Sequence, residues 1–372
     1  MEKPSGSQTE PTFMNSIIDK YIIRKFLSTF FFAILLIVVI AVIFDLTEKM
    51  DDVIEKEIPI KALVVDYYFN FIPYFANLFS PLFVFISVVF FTSKMANQTE
   101  IVAILSSGMS FGRFLRPYML SAAFIGLFSF LLNSFIIPHA NAKRHNFENT
   151  YMRSGWFKNG YNVHRQVAPG HFAYVESFNA ESNTAYRFTY EVIKNGTLAY
   201  KLRSEYLRWD TTANIWQLEN YIERYFDTDN ERLIKGANKD TTFPFSKEEF
   251  GRFDNNIETM DLMHLNEYIE SERMKGSDQL ELYLLEKYKR WANPFATIIL
   301  TLIAAALASR KVRGGVGLHI GIGLGIAFTY ILLMQISSVF AVAGGLNPFI
   351  AAWMPNLVYF TLSIWLIYKA PK

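Results

Sequence analysis

Residues 26–44 read FLSTFFFAILLIVVIAVIF, nineteen consecutive positions without an Asp, Glu, Lys or Arg. The hydrocarbon core of a bilayer is about 30 Å thick, and a helix needs about 20 apolar residues to cross it. An unpaired amide is costly in lipid, so such a run is read as a helix that satisfies its own backbone. Three more runs behave alike, at residues 67–93, 117–138 and 291–309. A fifth, residues 314–368, is 55 long and is interrupted by Gly344-Gly345-Leu346-Asn347-Pro348, enough for two crossings. Six transmembrane helices are therefore expected, in a three-plus-three layout. Arg24 and Lys25 precede the first run as in a signal peptide, but no small-residue cleavage site precedes Asp45, so the run reads as a retained helix. Residues 1–13 read as a short disordered leader.

Composition agrees. Of 372 residues, 51% are hydrophobic and 19% charged, below the roughly 25% charged of a soluble globular protein. A net charge of +2 with no basic tract excludes a strongly basic nucleic-acid binder. The absence of cysteine removes disulfides, zinc knuckles, thiol catalysis and iron–sulfur ligation together.

Lys and Arg near the helix ends set the orientation. With the N-terminus inside, the inner segments hold Lys3, Lys20, Arg24, Lys25, Lys94, Arg113, Arg116, Arg310, Lys311, Arg313, Lys369 and Lys372, against Lys49, Lys56 and Lys61 in the short outer loops. Both termini are expected in the cytoplasm and the long middle region outside. The expected division is a cytoplasmic tail at 1–20, helices 1–3 at 21–138, an outer domain with a connecting helix at 139–276, and helices 4–6 at 277–372.

The outer domain has a different texture. Tyr186, Phe188, Tyr190 and Val192 alternate with Arg187, Thr189 and Glu191; Asn195-Gly196, a strong hairpin signal, follows; then Leu198, Tyr200 and Leu202 alternate with polar residues. After a turn at residues 210–214, Trp216, Leu218 and Ile222 are expected on one face. Such a period means one buried and one wet face, hence an antiparallel sheet, as a sandwich or open barrel. Residues 260–274 return to helical spacing through Leu262, Leu265 and Ile269.

Several smaller patterns bear on function. Between the second and third helices, residues 97–108 predict a short amphipathic helix with Asn97 or Thr99 as cap, Ile101, Ile104 and Leu105 on one face, and Gly108 as stop. It could lie on lipid or enter a soluble partner's groove with Glu100 paired to a basic residue there. Gly317, Gly321 and Gly325 recur every four residues in the fifth helix, a spacing that lets two backbones approach, within one subunit or between two. Glu286 and Arg290 form an i,i+4 pair ahead of Pro294. No phosphate-binding Gly-rich loop with Lys-Ser/Thr exists, so ATP is not hydrolysed by that device. His139, His145 and Glu148, or His164 and His171, lack compact metal-ligand spacing; no metal or cofactor is expected. No carboxylate lies in mid-membrane to relay protons.

The chain resembles the lipopolysaccharide export permease family, LptF/LptG (YjgP/YjgQ), from about Met14 to its end. Four matches in order carry the resemblance: the segment from Glu100 to Pro117, similar to the family's coupling helix; Asn214-Ile215-Trp216-Gln217-Leu218, similar to a strand of its β-jellyroll; Glu286-x-x-x-Arg290-x-x-x-Pro294; and Ala351-Ala352-Trp353-Met354-Pro355-Asn356. The resemblance implies an α+β membrane protein with an extracytoplasmic antiparallel β-jellyroll-like domain between helices 3 and 4. It implies a non-enzymatic permease subunit of the bacterial inner membrane, paired with a second family member and driven by a dimer of an LptB-like ATPase. Lipopolysaccharide would leave the membrane through the jellyroll toward LptC-like and LptA-like periplasmic proteins.

By the same resemblance Glu100, Ile101, Ile104 and Gly108 dock the ATPase, the Gly317, Gly321 and Gly325 face belongs to a gate formed with the other subunit's first helix, and Phe188, Leu202, Trp216 and Leu218 line the lipid path. Family members also hold lipid phosphates near the outer end of the first helix; here Asp45 and Glu48 stand there, and Lys49, Lys56 and Lys61 are the candidate cations. Two other readings stay open: a lipid-modifying membrane enzyme using His139, His145 or His171, and a receptor or scaffold whose β domain binds a partner.

Overall fold

The computed structural model describes residues 17–152, 157–158, 160–211, 213–226, 230–250, 252–253, 256–277, 279–312 and 315–370. The expected leader at residues 1–13, with Lys3, Arg313 and Lys372, lies outside the described residues. Packing divides the chain into two units, one of residues 1–49, 71–136 and 288–372, the other of residues 50–70 and 137–287.

The helices in chain order are α1 (Ile17–Glu55), α2 (Ile60–Ala62), α3 (Phe69–Asn97), α4 (Glu100–Ser106), α5 (Phe111–Leu131) and α6 (Ile137–Phe147). After the strands come α7 (Leu262–Met274), α8 (Leu280–Ala308), α9 (Gly315–Val342) and α10 (Pro348–Lys369). Among the described residues six helical stretches are long and apolar enough to cross a membrane: Ile17–Glu55, Ile60–Asn97, Phe111–Met152, Leu280–Ala308, Gly315–Val342 and Pro348–Lys369. Each overlaps one of the expected crossings. The first four begin before their apolar runs because charged residues continue the helices, and π-turns at Leu63–Tyr68 and Leu132–Ile136 carry two of them on. The expected break in the fifth run is real: Gly344 takes φ +74°, the Asn347 side chain accepts the Phe349 N–H at 2.9 Å, and Pro348 opens α10 where its missing N–H costs nothing.

In the first unit, Phe91 and Tyr118 stack at 5.4 Å beside Phe26 and Phe114. Gly126 lets α5 approach α8, since a Cβ there would lie 3.0 Å from the Pro294 carbonyl oxygen. Asn356 joins three helices: its amide donates to the Ala292 carbonyl at 2.8 Å and its oxygen accepts the Tyr330 hydroxyl at 3.0 Å.

The second unit carries the inserted antiparallel sheet. Its strands are β2 (Gly160–Ala168), β3 (His171–Asn179), β4 (Thr184–Lys194), β5 (Thr197–Asp210), β6 (Ile215–Phe226) and β7 (Glu231–Thr241), each paired with its neighbours in sequence. A separate pair joins β1 (Phe157–Lys158) to β8 (Arg252–Phe253). Asn195 and Gly196 turn the β4–β5 hairpin with φ +51° and +79°, the left-handed values such a turn needs. The sheet remains open, with β2 and β7 as its edges.

A transverse crease interrupts the alternation. Registers align Asn162, Glu176, Arg187, Glu205, Asn220 and Ala237 across the six strands, and Asn162, Arg187 and Asn220 take φ of +50°, +52° and +51°. On each strand the covered face passes through this line with a step of three residues: Gly160 to Val163, Val175 to Phe178, Ala185 to Phe188, Ser204 to Leu207, Leu218 to Tyr221, Gly236 to Lys239. Two sequence expectations are corrected by it. Tyr186 is on the exposed face, with Ala185 inside; and Tyr221 with buried Glu223, rather than Ile222, continues the inner face of β6. A left-handed residue reverses which way its neighbours point, so a strict period of two fails there.

Candidate functional site

Three surfaces concentrate the residues singled out by sequence. The first is α4, the short helix between α3 and α5. It runs Glu100–Ser106, shorter than the expected 97–108, and has no side-chain cap: Thr99 takes φ +61°, and its hydroxyl donates to the Gln98 carbonyl at 2.6 Å. Gly108, at φ +90°, ends the segment. Ile101 is 1% exposed and packs into the helical core, with Ile104 and Leu105 against it. Val102 is 60% exposed, and Gln98, Ala103, Ser106, Ser107 and Gly108 share the outer surface.

Glu100 is engaged within the chain. Its Oε2 accepts the Tyr21 hydroxyl proton at 2.8 Å and lies 3.7 Å from Lys25 Nζ, while Lys25 also donates to the Tyr21 oxygen. Nearby, Arg113 reaches the Asp19 carboxylate through two bonds at 2.7 and 2.5 Å, the paired geometry that makes such contacts specific. These links between α1 and the α4–α5 turn span 79 to 94 positions of sequence, and periodicity carries no sign of them.

The second surface is α9. His319, Gly323, Ala327 and Tyr330 face inward. A Cβ on Gly323 would meet the Phe85 ring at 2.8 Å, and His319 Nδ1 lies 2.8 Å from Ser93 Oγ. Gly317, Gly321 and Gly325 look the other way, with nothing within 4 Å of the position a Cβ would take. The sequence left open which surface these three glycines serve; within the described chain they touch no other helix, and Gly323 makes the close intrachain approach. Of the apolar windows of α1 and α9, 17% and 22% is buried, against 67% for α8.

The third is the inner face of the sheet. Phe188, Leu202, Trp216 and Leu218 are all on it, each 1% exposed. They are covered by the chain that leaves β7: Phe243 and Phe245 stack at 4.8 Å and pack on Phe188 at 5.4 and 6.0 Å, and Trp216 Nε1 donates to the Phe245 carbonyl at 3.3 Å. Phe250 packs on Phe178 and Trp216. The sequence reading did not anticipate this covering aromatic segment. Burial of one such ring stabilises by about 1.5–3 kcal/mol. At one border of this face, buried Glu223 accepts from the Tyr200 hydroxyl at 2.9 Å and from Lys239 Nζ at 2.7 Å. The Glu223 bond raises the Lys239 pKa, while burial is the main cause of the raised Tyr200 pKa.

The three candidate phosphate cations are not gathered together. Lys49 pairs with Asp45 at 2.5 Å; Lys56 pairs with Asp52 at 2.9 Å and donates to the Met152 carbonyl at 2.8 Å; Lys61 is exposed on α2. The histidines have different partners: His145 is 3.5 Å from Glu148, His171 Nδ1 is 2.6 Å from the Tyr190 hydroxyl, and the His164 ring lies tilted 4.3 Å from the Tyr174 ring. Among the described residues no three His, Asp or Glu side chains are grouped to hold a metal ion.

The family profile described as "Lipopolysaccharide export system permease LptF/LptG" matches residues 20–369. The chain is 19% identical over 311 residues to "Lipopolysaccharide export system permease protein LptG" of Escherichia coli strain K12, covering 80% of this chain and 83% of that protein. The protein of the same description from Escherichia coli O6:H1 strain CFT073 matches with the same identity and coverage. With six long apolar helices and an antiparallel sheet inserted between the third and fourth, this chain belongs to the lipopolysaccharide export permease family LptF/LptG.

Proposed function

We propose that this chain is one permease subunit of an ABC-type complex of the bacterial inner membrane. It extracts lipopolysaccharide and passes it to a periplasmic bridge of LptC-like and LptA-like proteins. A second LptF/LptG-family subunit completes the membrane cavity, and an LptB-like ATPase dimer supplies the energy. Both termini are in the cytoplasm, the β domain is in the periplasm, and the domain limits follow those read from the sequence.

One observation carries the reading: α1 and α9 leave most of their apolar windows uncovered within the chain, and the glycine face of α9 has open space beside it. Lipid alone could cover those windows, but a row of glycines four apart favours a second helix. The pairing assigned to Gly317, Gly321 and Gly325 follows from this. In the docking helix, Ile101 and Ile104 act as the inner anchor, and Val102, Ala103 and Gly108 form the contact surface. Glu100 reaches the ATPase only by leaving Tyr21 and Lys25. Phe188, Leu202, Trp216 and Leu218 take the acyl chains, and Lys49, Lys56 and Lys61 are the phosphate contacts, the first two by exchanging their present carboxylate partners.

Co-purification of the ATPase tests the docking assignment. Glu100→Arg and Val102→Asp are each expected to reduce recovered ATPase at least tenfold while the subunit remains in the membrane. Undiminished recovery with both substitutions contradicts it.

A further inference from the structure

β7 ends at Thr241, and Pro244 follows three positions later. Proline has no N–H for a ladder, so the chain cannot continue pairing there as an inner strand. Residues 242–250 instead cross the inner face of the sheet. Among the described residues this strap makes no backbone–backbone hydrogen bond to a strand; the Glu249 and Phe250 N–H groups go to the Ser246 and Lys247 carbonyls of the strap itself. Among the described residues its hold on the sheet is apolar contact, the bond from Trp216 and the bond from Lys247 Nζ to Asn183 Oδ1 at 3.2 Å, while Lys275, which follows α7, donates to Glu249 Oε1 at 2.7 Å. One end is fixed more firmly. The Phe250 carbonyl presses so close to Gly160 that a Cβ there would lie 1.9 Å away.

The ladder from β2 to β7 is therefore complete without the strap. Removing the strap would expose apolar surface but break no strand pairing, so its rings occupy the inner face in the manner of a bound ligand. Ordinary core elements are tied in by backbone bonds as well, because buried amides must be paired. From this contrast we infer that the Phe243–Phe245 portion of the strap is a built-in plug. It occupies the surface that takes a fatty-acyl chain and swings out from the fixed Phe250 end when cargo enters. The inference rests on the lipid-path reading above and adds what closes that path when no lipid is in it.

The chain has no native cysteine, so a pair can be introduced without competing thiols. Asn183→Cys with Lys247→Cys, joined by a reducible bis-methanethiosulfonate cross-linker, ties the plug to the sheet margin without touching a ring. The probe is lipopolysaccharide bearing a photoactivatable diazirine in an acyl chain, supplied to the assembled permease in native membranes, with adducts mapped by peptide mass spectrometry. Adducts on the peptides holding Phe188 and Leu218 are expected before bridging, to fall at least tenfold when the bridge is closed, and to return on reduction. Each single-cysteine variant treated with the same reagent should keep its adducts. Equal adducts in bridged and unbridged protein overturn the plug while leaving the lipid path standing. Adducts absent from the sheet in the unbridged protein, but present on the membrane helices, overturn the lipid path and the plug together.

Discussion

Two apolar surfaces of this chain are finished in opposite ways. The outer face of α9 exposes Leu318, Ile322 and Phe328 beside three glycines with open space around them, whereas the inner face of the sheet is covered by rings from the same chain. An apolar face on a membrane helix is stable against lipid, so it can wait for a partner. An apolar face on a sheet in water has no such shelter and must be covered at once. The same chemistry is thus left uncovered within the chain in one unit and covered by the chain's own rings in the other.

Substitutions on the two surfaces test this contrast. The largest effect is expected from Phe188→Ala on the covered face, about 3–4 kcal/mol of lost stability as for a buried Phe, while Phe328→Ala, at a 61% exposed position, should stay within about 0.5 kcal/mol; chemical unfolding of the isolated subunit in detergent compares them. Next come the two glycine rows. Gly323→Leu drives a side chain into Phe85 and Val89 and should cost about 1–3 kcal/mol. Gly321→Leu should leave the melting curve of the single subunit unchanged yet reduce recovery of the second family member in a pull-down. Equal losses of stability from both would mean that both rows pack within the chain.

The crease gives a prediction of sign. In a flat strand, Asn220→Val would stabilise, since Val favours extended structure. At φ +51° it should instead cost about 1–2 kcal/mol, again read from unfolding. The smallest effect concerns α7, whose N-cap Asp261 accepts the His264 N–H at 2.8 Å. That bond holds the Asp261 carboxyl below its usual range. Its contribution is therefore full above the ordinary carboxylate range and is lost as pH falls through the lowered folded-state value. Asp261→Ala should cost about 1 kcal/mol at neutral pH, with wild type and variant converging in acid.

Much of the fold was legible because lipid leaves so few solutions. A run such as residues 26–44 has one backbone arrangement available, and Asn195-Gly196 announces its hairpin through the left-handed conformation that Asn and Gly tolerate. The crease was not legible, because Arg187 and Asn220 look like ordinary strand residues until six registers are aligned. Nor was the plug: Phe243 and Phe245 lie in a polar, proline-interrupted stretch that resembles a loop, and only the facing strands reveal what the rings cover. The candidate docking helix was found through its Ile spacing. That spacing was read as a face turned to lipid or a partner, whereas Ile101 packs into the chain's own helical core and Val102 is the exposed residue. Glu100 was picked out as a charge seeking a partner, but its bonds to Tyr21 and Lys25 depend on a distant helix.

In the proposed function, hydrocarbon reaches the sheet's inner face while ATP is consumed by another protein. The direct measurement is photo-cross-linking of the unmodified complex with acyl-diazirine lipopolysaccharide, with and without ATP, followed by mapping of the labelled peptides. Labelling of the strands that carry Phe188, Leu202, Trp216 and Leu218, increasing with ATP, is the predicted result. Labelling confined to the membrane helices under both conditions would contradict it.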